Sequence, residues 1–188
     1  MRIRKVHLIF LVLAIASLPA YLGLLQIVGN FHTVEAGKLY RSAQPSARDL
    51  AAYARVHGIK SVINLRGRHP GESWYEDEMR ASNELGLYHA DLALSARNEL
   101  TETQLQELEK TLRDAPTPIL VHCKSGADRT GLAAALYELD VQHRPVDDAA
   151  GQLSWRYGHW PYFWSRSGAM DRTFEHAAAL HAQSRADR

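Results

Sequence analysis

The apolar positions of the chain form two kinds of pattern, and the change from one to the other predicts the order of strands and helices. Short apolar runs over residues 39–41, 59–66, 87–94 and 119–123 predict strands. The other segments carry apolar residues at helical spacing. They predict helices over residues 46–57, 74–85 and 100–115, in the run after Cys123, and over residues 146–157 and 169–182. Ser46 and Thr101 are the expected N-caps.

Strands that alternate with helices are typical of β–α–β units, in which the strands run parallel and helices cover the sheet. Residues 119–121 are apolar without alternation, as expected for a central strand that is buried on both faces. We therefore expect a single three-layer α/β domain with a mainly parallel central sheet and helices on both faces. In such sheets ligands bind beyond the carboxyl ends of the strands.

The first thirty residues have a different pattern and predict a transmembrane helix. Arg2, Arg4 and Lys5 precede residues 6–28, which contain no Asp, Glu, Lys or Arg. A helix of this length spans the hydrocarbon core of a bilayer, about 30 Å. We expect residues 1–30 to be a membrane anchor or uncleaved signal, and residues 31–188 to form a domain outside the cytoplasm, which is the periplasm if the organism is a Gram-negative bacterium. The alternative is a signal peptide that is cleaved near residues 14–16.

Composition narrows the classes of function. The chain has 188 residues, 46% of them hydrophobic, which is enough for one packed core. A net charge of +1 gives no global attraction for nucleic acid, so no nucleic-acid partner is expected. Cys123 is the only cysteine, which excludes an intramolecular disulfide and a multi-cysteine metal site. We expect neither a metal nor a cofactor.

The stretch ILVHCKSGADRTGL places that cysteine at the mouth of a short polar loop between a predicted strand and a predicted helix. Gly126 permits a tight turn, and a turn that enters a helix points several backbone N–H groups at one spot. Arg129 adds a planar guanidinium that can hold two phosphate oxygens. This positive environment favours the thiolate of Cys123. The loop therefore combines a nucleophile with an oxyanion site, which suits attack on phosphorus.

The segment HCKSGADRTG matches the H-C-x5-R-[ST] signature of cysteine-dependent protein tyrosine and dual-specificity phosphatases, and the chain resembles that family. LYRSAQP and GIKSVINLR are similar to its compact bacterial and plant–fungal-like members. The resemblance implies a phosphomonoester hydrolase with a phosphocysteine intermediate on Cys123. It also implies that His122 orients the loop and that Thr130 or Ser125 assists the thiolate. The phosphoryl group would be held by Lys124, Ser125, Gly126, Ala127, Asp128 and Arg129.

The same family uses a carboxyl group to protonate the leaving oxygen, and three residues are candidates. Asp91 lies 32 residues before Cys123, a separation typical of the compact members, but it falls within a predicted strand. Glu99 lies in a polar loop just before the helix that leads to the cysteine strand. Asp128 precedes Arg129 inside the signature, as in several inositol-lipid phosphatases. Asp91 is the first candidate, and Glu99 and Asp128 are the alternatives.

Lys124 leaves the substrate class open. Protein tyrosine phosphatases usually have a neutral residue after the cysteine. A lysine there resembles lipid and inositol phosphate phosphatases and favours polyanionic substrates. Arg41, Arg66 and Arg68 follow predicted strands and could line the same pocket. The expected partner is a phosphorylated protein, or a phosphorylated lipid or small molecule. A catalytically weak phosphate-binding module is the remaining alternative.

An aromatic-rich segment begins at about residue 152 and includes Trp155, Tyr157, Trp160 and residues 162–164. Such a segment can pack as an irregular cap on the core. It can also lie at a membrane interface, where Trp and Tyr side chains are favoured. The sequence leaves both arrangements open.

Overall fold

The computed structural model describes residues 20–160 and 168–186. Within these ranges the strands are β1 (His32–Glu35), β2 (Leu39–Ser42), β3 (Ser61–Asn64), β4 (Tyr88–Asp91) and β5 (Ile119–His122). The helices are α1 (residues 20–27), α2 (Ala47–His57), α3 (Ser73–Glu84), α4 (Glu102–Asp114), α5 (Asp128–Asp140), α6 (Val146–Ala150) and α7 (Gly168–Ala186), with a 3-10 helix at Trp155–Tyr157. The predicted alternation of strands and helices is confirmed.

The strands form one mixed sheet in the order β1-β2-β5-β3-β4. β5 lies in the middle and pairs in parallel with β2 and β3, and β3 pairs in parallel with β4. β1 pairs antiparallel with β2 at the edge of the sheet. The sequence analysis did not identify β1, because its residues HTVE carry little apolar signal.

Helix ends follow the predicted capping residues. The Ser46 hydroxyl accepts from the Asp49 amide and the Asp49 carboxylate accepts from the Ser46 amide, which is a capping box. Thr101 and Gln104 form the same arrangement at the start of α4. Local sequence therefore determines where both helices begin.

Side chains of β5 point into two separate hydrophobic cores. Ile119 and Val121 pack with residues of α4, α5 and α7 into the larger core. Leu120 lies between them in sequence and packs with residues of α2 and α3 into the smaller core. Because successive side chains of a strand point to opposite faces, the unbroken apolar run needs cover on both sides. This explains the helices on both faces of the sheet.

One predicted helix, over residues 146–157, is divided into α6 and the 3-10 helix. The chain leaves α6 at Gly151, because Gln152 turns inward and binds the buried Arg41 instead of continuing the helix. In the aromatic-rich segment Tyr157 is buried, whereas Trp155 is 61% exposed. Residues 162–164 of that segment lie outside the described residues.

Most of the predicted anchor, residues 1–19, lies outside the described residues. In the part of the chain that the structure describes, no helix has both the length and the apolar character needed to cross a membrane. Residues 20–30 pack on the domain: Leu25 and Asn30 are buried, and the Gly29 carbonyl accepts from the Ala43 amide at 2.8 Å. The packed part of the chain therefore begins before residue 31.

Candidate active site

The candidate site is the loop between β5 and α5, which begins at the carboxyl end of the central strand. Cys123 is 1% exposed, and His122 before it is fully buried. Lys124 is exposed, whereas Asp128 and Arg129 are half-buried. The predicted nucleophile therefore lies below the surface, at the base of a loop whose later residues reach solvent.

Four successive backbone carbonyl groups of this loop point away from its centre and accept hydrogen bonds from outside. The Lys124 carbonyl accepts from the Gln44 amide at 3.3 Å. The remaining donors are side chains: Asn30 Nδ2 (2.9 Å) and Gln26 Nε2 (3.2 Å) to Ser125, and Arg41 Nη2 to Gly126 (2.9 Å) and Ala127 (3.4 Å).

The outward carbonyls determine where the amide groups point. A trans peptide unit carries its carbonyl and the following N–H on opposite sides. The amides of residues 125–128 therefore turn toward the inner side of the loop, and among the described residues none of them has a hydrogen-bond acceptor. Inward N–H groups at the start of a helix, where the helix dipole is positive, form an anion site.

Gly126 is required because the loop approaches the end of β2 closely. Its φ is +72°, in the region that favours glycine. A Cβ atom at this position would lie 2.6 Å from the Ala43 nitrogen and 2.7 Å from the Ser42 carbonyl carbon. Both the backbone conformation and the available space therefore exclude a side chain.

Arg41 lies beneath the loop and is fully buried, rather than lining the pocket. Its Nη1 donates to the backbone carbonyl and to Oε1 of Gln152, at 2.9 and 2.7 Å, and its guanidinium lies 3.9 Å from the ring centre of Tyr157. Burial, partly offset by Tyr157 and Cys123, lowers the pKa of Arg41 to about 10. Arg41 therefore remains a cation at neutral pH, and it lies close enough to Cys123 to interact with it electrostatically.

Arg129 is positioned by the ends of two other segments of the chain. Its Nη1 donates to the backbone carbonyls of Leu65 and Leu94, both at 3.1 Å. Its Nε is buried and has no hydrogen-bond partner among the described residues. A guanidinium that is anchored through one nitrogen keeps other N–H groups for a phosphoryl oxygen.

Glu78 of α3 lies behind the loop in a buried polar cluster. Its Oε2 is 3.1 Å from His122 Nε2. Its Oε1 is 2.9 Å from His89 Nε2, and Gln44 also donates to this carboxylate. Burial alone would raise the pKa of Glu78, but the charge and hydrogen bond of His122, with His89 and Gln44, lower it to about 2. Glu78 is therefore an anion that holds His122 in place.

Asp91, the first candidate for the acid, is the last residue of β4. Its Oδ1 accepts from Asn64 Nδ2 at 2.8 Å and its Oδ2 accepts from the Tyr75 hydroxyl at 2.7 Å. The side chain is 15% exposed. Two donors hold this carboxylate against β3 and α3, which is the environment of a structural carboxylate.

The two alternative acids, Glu99 and Asp128, lie in different surroundings. Glu99 is on the surface and forms an ion pair with Arg172 of α7. Asp128 begins α5 directly before Arg129, and its side chain is 26% exposed. Its Oδ1 lies 2.7 Å from Nδ1 of the buried His159. Asp128 is thus the candidate that belongs to the loop itself.

Two hydroxyl groups were expected to assist Cys123. The Thr130 side chain is buried, and its hydroxyl has no hydrogen-bond partner among the described residues. Ser125 is half-buried, and its backbone carbonyl is held by Asn30 and Gln26. Thr130 is therefore the residue with a buried hydroxyl still available to a thiolate or a phosphoryl oxygen.

Arg66 and Arg68 differ in their surroundings. The Arg66 guanidinium lies 3.3 Å from the ring centre of Trp74, and its Nη1 donates to Gln44 Oε1 at 2.7 Å. Burial and then the positive charge of Arg129 lower the pKa of Arg66, so this cation lies near the site. Arg68 is exposed and interacts with the Tyr75 hydroxyl.

The sequence analysis missed the residues that support the loop from outside. They are far from Cys123 in sequence, and their roles depend on the fold rather than on a local pattern. Gln44 had a signal, because it lies in the LYRSAQP segment that resembles the family. The missed residues are Gln26, Asn30, Gln44, Glu78, His89, Gln152 and His159.

A central parallel strand that is followed directly by a cysteine, inward amides and an anchored arginine defines the class of cysteine-dependent phosphatases. A model of the tyrosine phosphatase family matches residues 22–144. The chain belongs to that family.

Two curated relatives share part of the chain. The dual specificity protein phosphatase TpbA of Pseudomonas aeruginosa is 36% identical over 111 residues, covering 55% of this chain and 44% of TpbA. The beta-lactamase hydrolase-like protein of Xylella fastidiosa is 31% identical over 123 residues, covering 64% of this chain and 28% of that protein. The chain thus spans less than half the length of either relative.

Solved structures have the same fold. A cysteine-to-serine variant of P. aeruginosa TpbA in complex with pTyr has a TM-score of 0.61 at 21% identity, covering 82% of this chain and 91% of that chain. The core catalytic domain of the PP-IP phosphatase SIW14 from S. cerevisiae, in complex with citrate, has a TM-score of 0.58 at 19% identity, covering 83% and 93%.

Proposed function

We propose that the chain hydrolyses phosphomonoesters through a phosphocysteine intermediate on Cys123. The observation that carries this proposal is the set of outward carbonyls, which turns the amides of residues 125–128 toward one point beside Cys123. Arg129 adds a cation whose position is fixed by two carbonyls. Family membership supports the same chemistry.

In the first step the Cys123 thiolate attacks phosphorus, the S–P bond forms, and the bond from phosphorus to the leaving oxygen breaks. Charge on the phosphoryl oxygens is stabilised by the loop amides and by Arg129, which are already oriented before the reaction. The leaving oxygen takes a proton from a carboxyl group. In the second step that carboxylate accepts a proton from water as the water attacks phosphorus, and the S–P bond breaks to restore the thiolate.

We assign the proton transfer to Asp128, the candidate that begins α5 beside Arg129. Asp91, the first candidate from the sequence, uses both oxygens to accept hydrogen bonds from Asn64 and Tyr75. Glu99 is engaged at the surface by Arg172. The matched variants D91N, E99Q and D128N test this assignment. Loss of the acid removes the alkaline limb of the pH profile of kcat/KM, and it lowers the rate more for basic leaving groups.

Phosphotyrosine in a protein is the substrate class that the dual-specificity relatives support. A second candidate is a phosphorylated lipid or small molecule with further anionic groups. Exposed Lys124 and half-buried Arg66 favour this second class, because they add positive charge around the phosphoryl site. A shallow pocket beside Arg66, lined by Gln44, Pro45 and Trp74 among others, offers room for the rest of a substrate.

The activity is tested with the full chain purified in detergent. p-Nitrophenyl phosphate, a phosphotyrosine peptide and a lipid phosphate are assayed in the presence of a chelator, with C123S as the control. We expect turnover that depends on Cys123 and not on added metal. Phosphate binding without turnover of any substrate would favour the weak binding module instead.

The membrane anchor and the location of the domain are further parts of the proposal. Residues 6–19, which precede the part of the chain that packs on the domain, contain no Asp, Glu, Lys or Arg and follow a basic flank, which supports an anchored domain outside the cytoplasm. Protease treatment of intact spheroplasts tests the topology. Digestion of the domain is expected, and a fully protected domain would contradict the outward-facing arrangement.

A further inference from the structure

His159 joins the loop to the C-terminal helix through two short contacts. Its Nδ1 lies 2.7 Å from Asp128 Oδ1, and its Nε2 lies 2.9 Å from Asp171 Oδ2 in α7. The His159 side chain has no exposed surface, whereas the two carboxylates are 26% and 28% exposed. A fully buried ring is thus held between two partly exposed acids, one of which belongs to the active-site loop.

The two contacts determine the protonation of the ring. An ionised carboxylate only accepts hydrogen bonds, so each nitrogen of His159 must carry a hydrogen. Burial alone would lower the pKa of His159, but the hydrogen bonds and charges of Asp128 and Asp171 raise it to about 9. At neutral pH the ring is an imidazolium that donates to both acids.

The surrounding chain fixes the position of His159. Gly158 before it has φ +85° and ends the 3-10 helix, and the His159 amide donates to the Ser154 carbonyl at 3.2 Å. The Tyr157 carbonyl accepts from Asn30 Nδ2, the same group that holds the Ser125 carbonyl. The segment that carries His159 is therefore bound to the support of the loop itself.

We propose that His159 is a positioning residue for proton transfer, which orients the Asp128 carboxyl group beside Arg129 through its bond to Asp128 Oδ1. The proposal rests on the proposed function, in which Asp128 donates a proton to the leaving oxygen. Because His159 engages Oδ1, the other oxygen of Asp128 is left to carry that proton.

Asp171 has a distinct part in this arrangement. When Asp128 is protonated, it no longer balances the charge of the buried imidazolium. Asp171 still balances the charge of the imidazolium. Protonation of Asp128 therefore leaves no unpaired buried charge. A single histidine–aspartate pair would lack this second counter-charge and would hold Asp128 as the anion. The three-residue arrangement therefore suits a carboxyl group that must gain and lose a proton in each cycle.

The test compares two variants of His159 in the full chain. The side-chain amide of H159N replaces the Nδ1 donor and keeps the contact to Asp128, whereas that of H159Q replaces the Nε2 donor and keeps the contact to Asp171. Turnover is measured with p-nitrophenyl phosphate, whose leaving group needs little protonation, and with phenyl phosphate, whose leaving group needs more. We expect H159Q to lose roughly 10- to 100-fold in kcat on phenyl phosphate and less than about threefold on p-nitrophenyl phosphate. H159N should lose less on phenyl phosphate.

Two further variants and one inhibition measurement complete the experiment. H176Q alters an exposed histidine of α7 that pairs with Glu102, and it should match the wild type. D171N should show the same leaving-group dependence as H159Q. Inhibition by vanadate should stay within about twofold in every variant, because the amides and Arg129 are untouched. D171N and H159N also keep the proposal testable if H159Q does not fold.

The outcomes separate this inference from the proposed function. If D128N shows leaving-group dependence while H159Q loses activity equally on both substrates, or not at all, His159 is not a positioning residue and Asp128 remains the acid. If D128N itself shows no leaving-group dependence, the assignment of Asp128 is wrong, and this inference is wrong with it.

Discussion

Arg41 Nη2 donates to the Gly126 carbonyl at 2.9 Å, which joins the end of β2 to the loop after β5 from below. The same guanidinium binds Gln152, so one buried side chain links a strand, the loop and the segment after α6. The inward direction of the loop amides therefore depends on a residue that lies beneath the loop rather than in it.

Replacing Arg41 with lysine should disrupt the loop while keeping the charge. A lysine presents a single ammonium group and cannot hold Gln152 and two loop carbonyls in one plane. We expect kcat/KM for p-nitrophenyl phosphate to fall by roughly 10- to 100-fold, together with weaker inhibition by vanadate. R55K on the exposed surface of α2 is the control and should leave both unchanged. Wild-type kinetics in R41K would show that the loop keeps its shape without this contact.

Gly126 and Gly37 provide a matched pair for separating backbone strain from steric clash. Both have positive φ, +72° and +74°, but a Cβ at Gly37 meets no atom within 4 Å. G37A should cost about 1–2 kcal/mol in the free energy of unfolding and leave kcat unchanged. G126A adds a clash with Ser42 and Ala43, so it should unfold more easily and lose nearly all activity. Urea unfolding and steady-state kinetics of both variants measure this, and equal behaviour of the pair would contradict the close-approach argument.

Glu78 should stabilise the fold except at low pH. Its pKa is lowered from 4.5 to about 2 in the folded state, so its contribution is complete above pH 4.5 and is lost as pH falls toward 2. E78Q removes the buried carboxylate that contacts His122 and His89, and it should cost about 3–5 kcal/mol at neutral pH. Urea midpoints measured across this range should converge for the wild type and E78Q at the acidic end. A constant difference between them would show that the ionised carboxylate is not the cause.

His159 should have the opposite pH dependence. Its pKa is raised from 6.5 to about 9 by Asp128 and Asp171, so the stability that it contributes is complete below pH 6.5 and is lost as pH rises through 9. Urea midpoints of the wild type should fall over this window, whereas those of H159N should fall less. If the urea midpoints of the wild type and of H159N fall equally, a group other than His159 causes the loss of stability at alkaline pH.

Much of the fold could be predicted because the relevant signals are local. The apolar run that became β5, the caps Ser46 and Thr101, and the spacing of Cys123 and Arg129 can each be recognised within a few residues of sequence. β1 was missed because an edge strand of four mostly polar residues lacks apolar periodicity.

The support of the site could not be predicted in the same way. His159 lies 31 residues after Asp128 and Gln26 lies 99 residues before Ser125, and their contacts exist only once the chain is folded. The sequence made Asp91 the first candidate for the acid by its separation from Cys123. A separation along the chain does not reveal that Asn64 and Tyr75 both donate to that carboxylate.

The most direct test of the central claim is to detect the covalent intermediate. The full chain is mixed with p-nitrophenyl phosphate, quenched in acid within one turnover, digested and examined by mass spectrometry. We predict that one phosphoryl group is attached to the peptide containing Cys123 and that it is absent in C123S, which should also have no turnover. A phosphoryl group on another residue, or undiminished turnover by C123S, would contradict a mechanism that acts through Cys123.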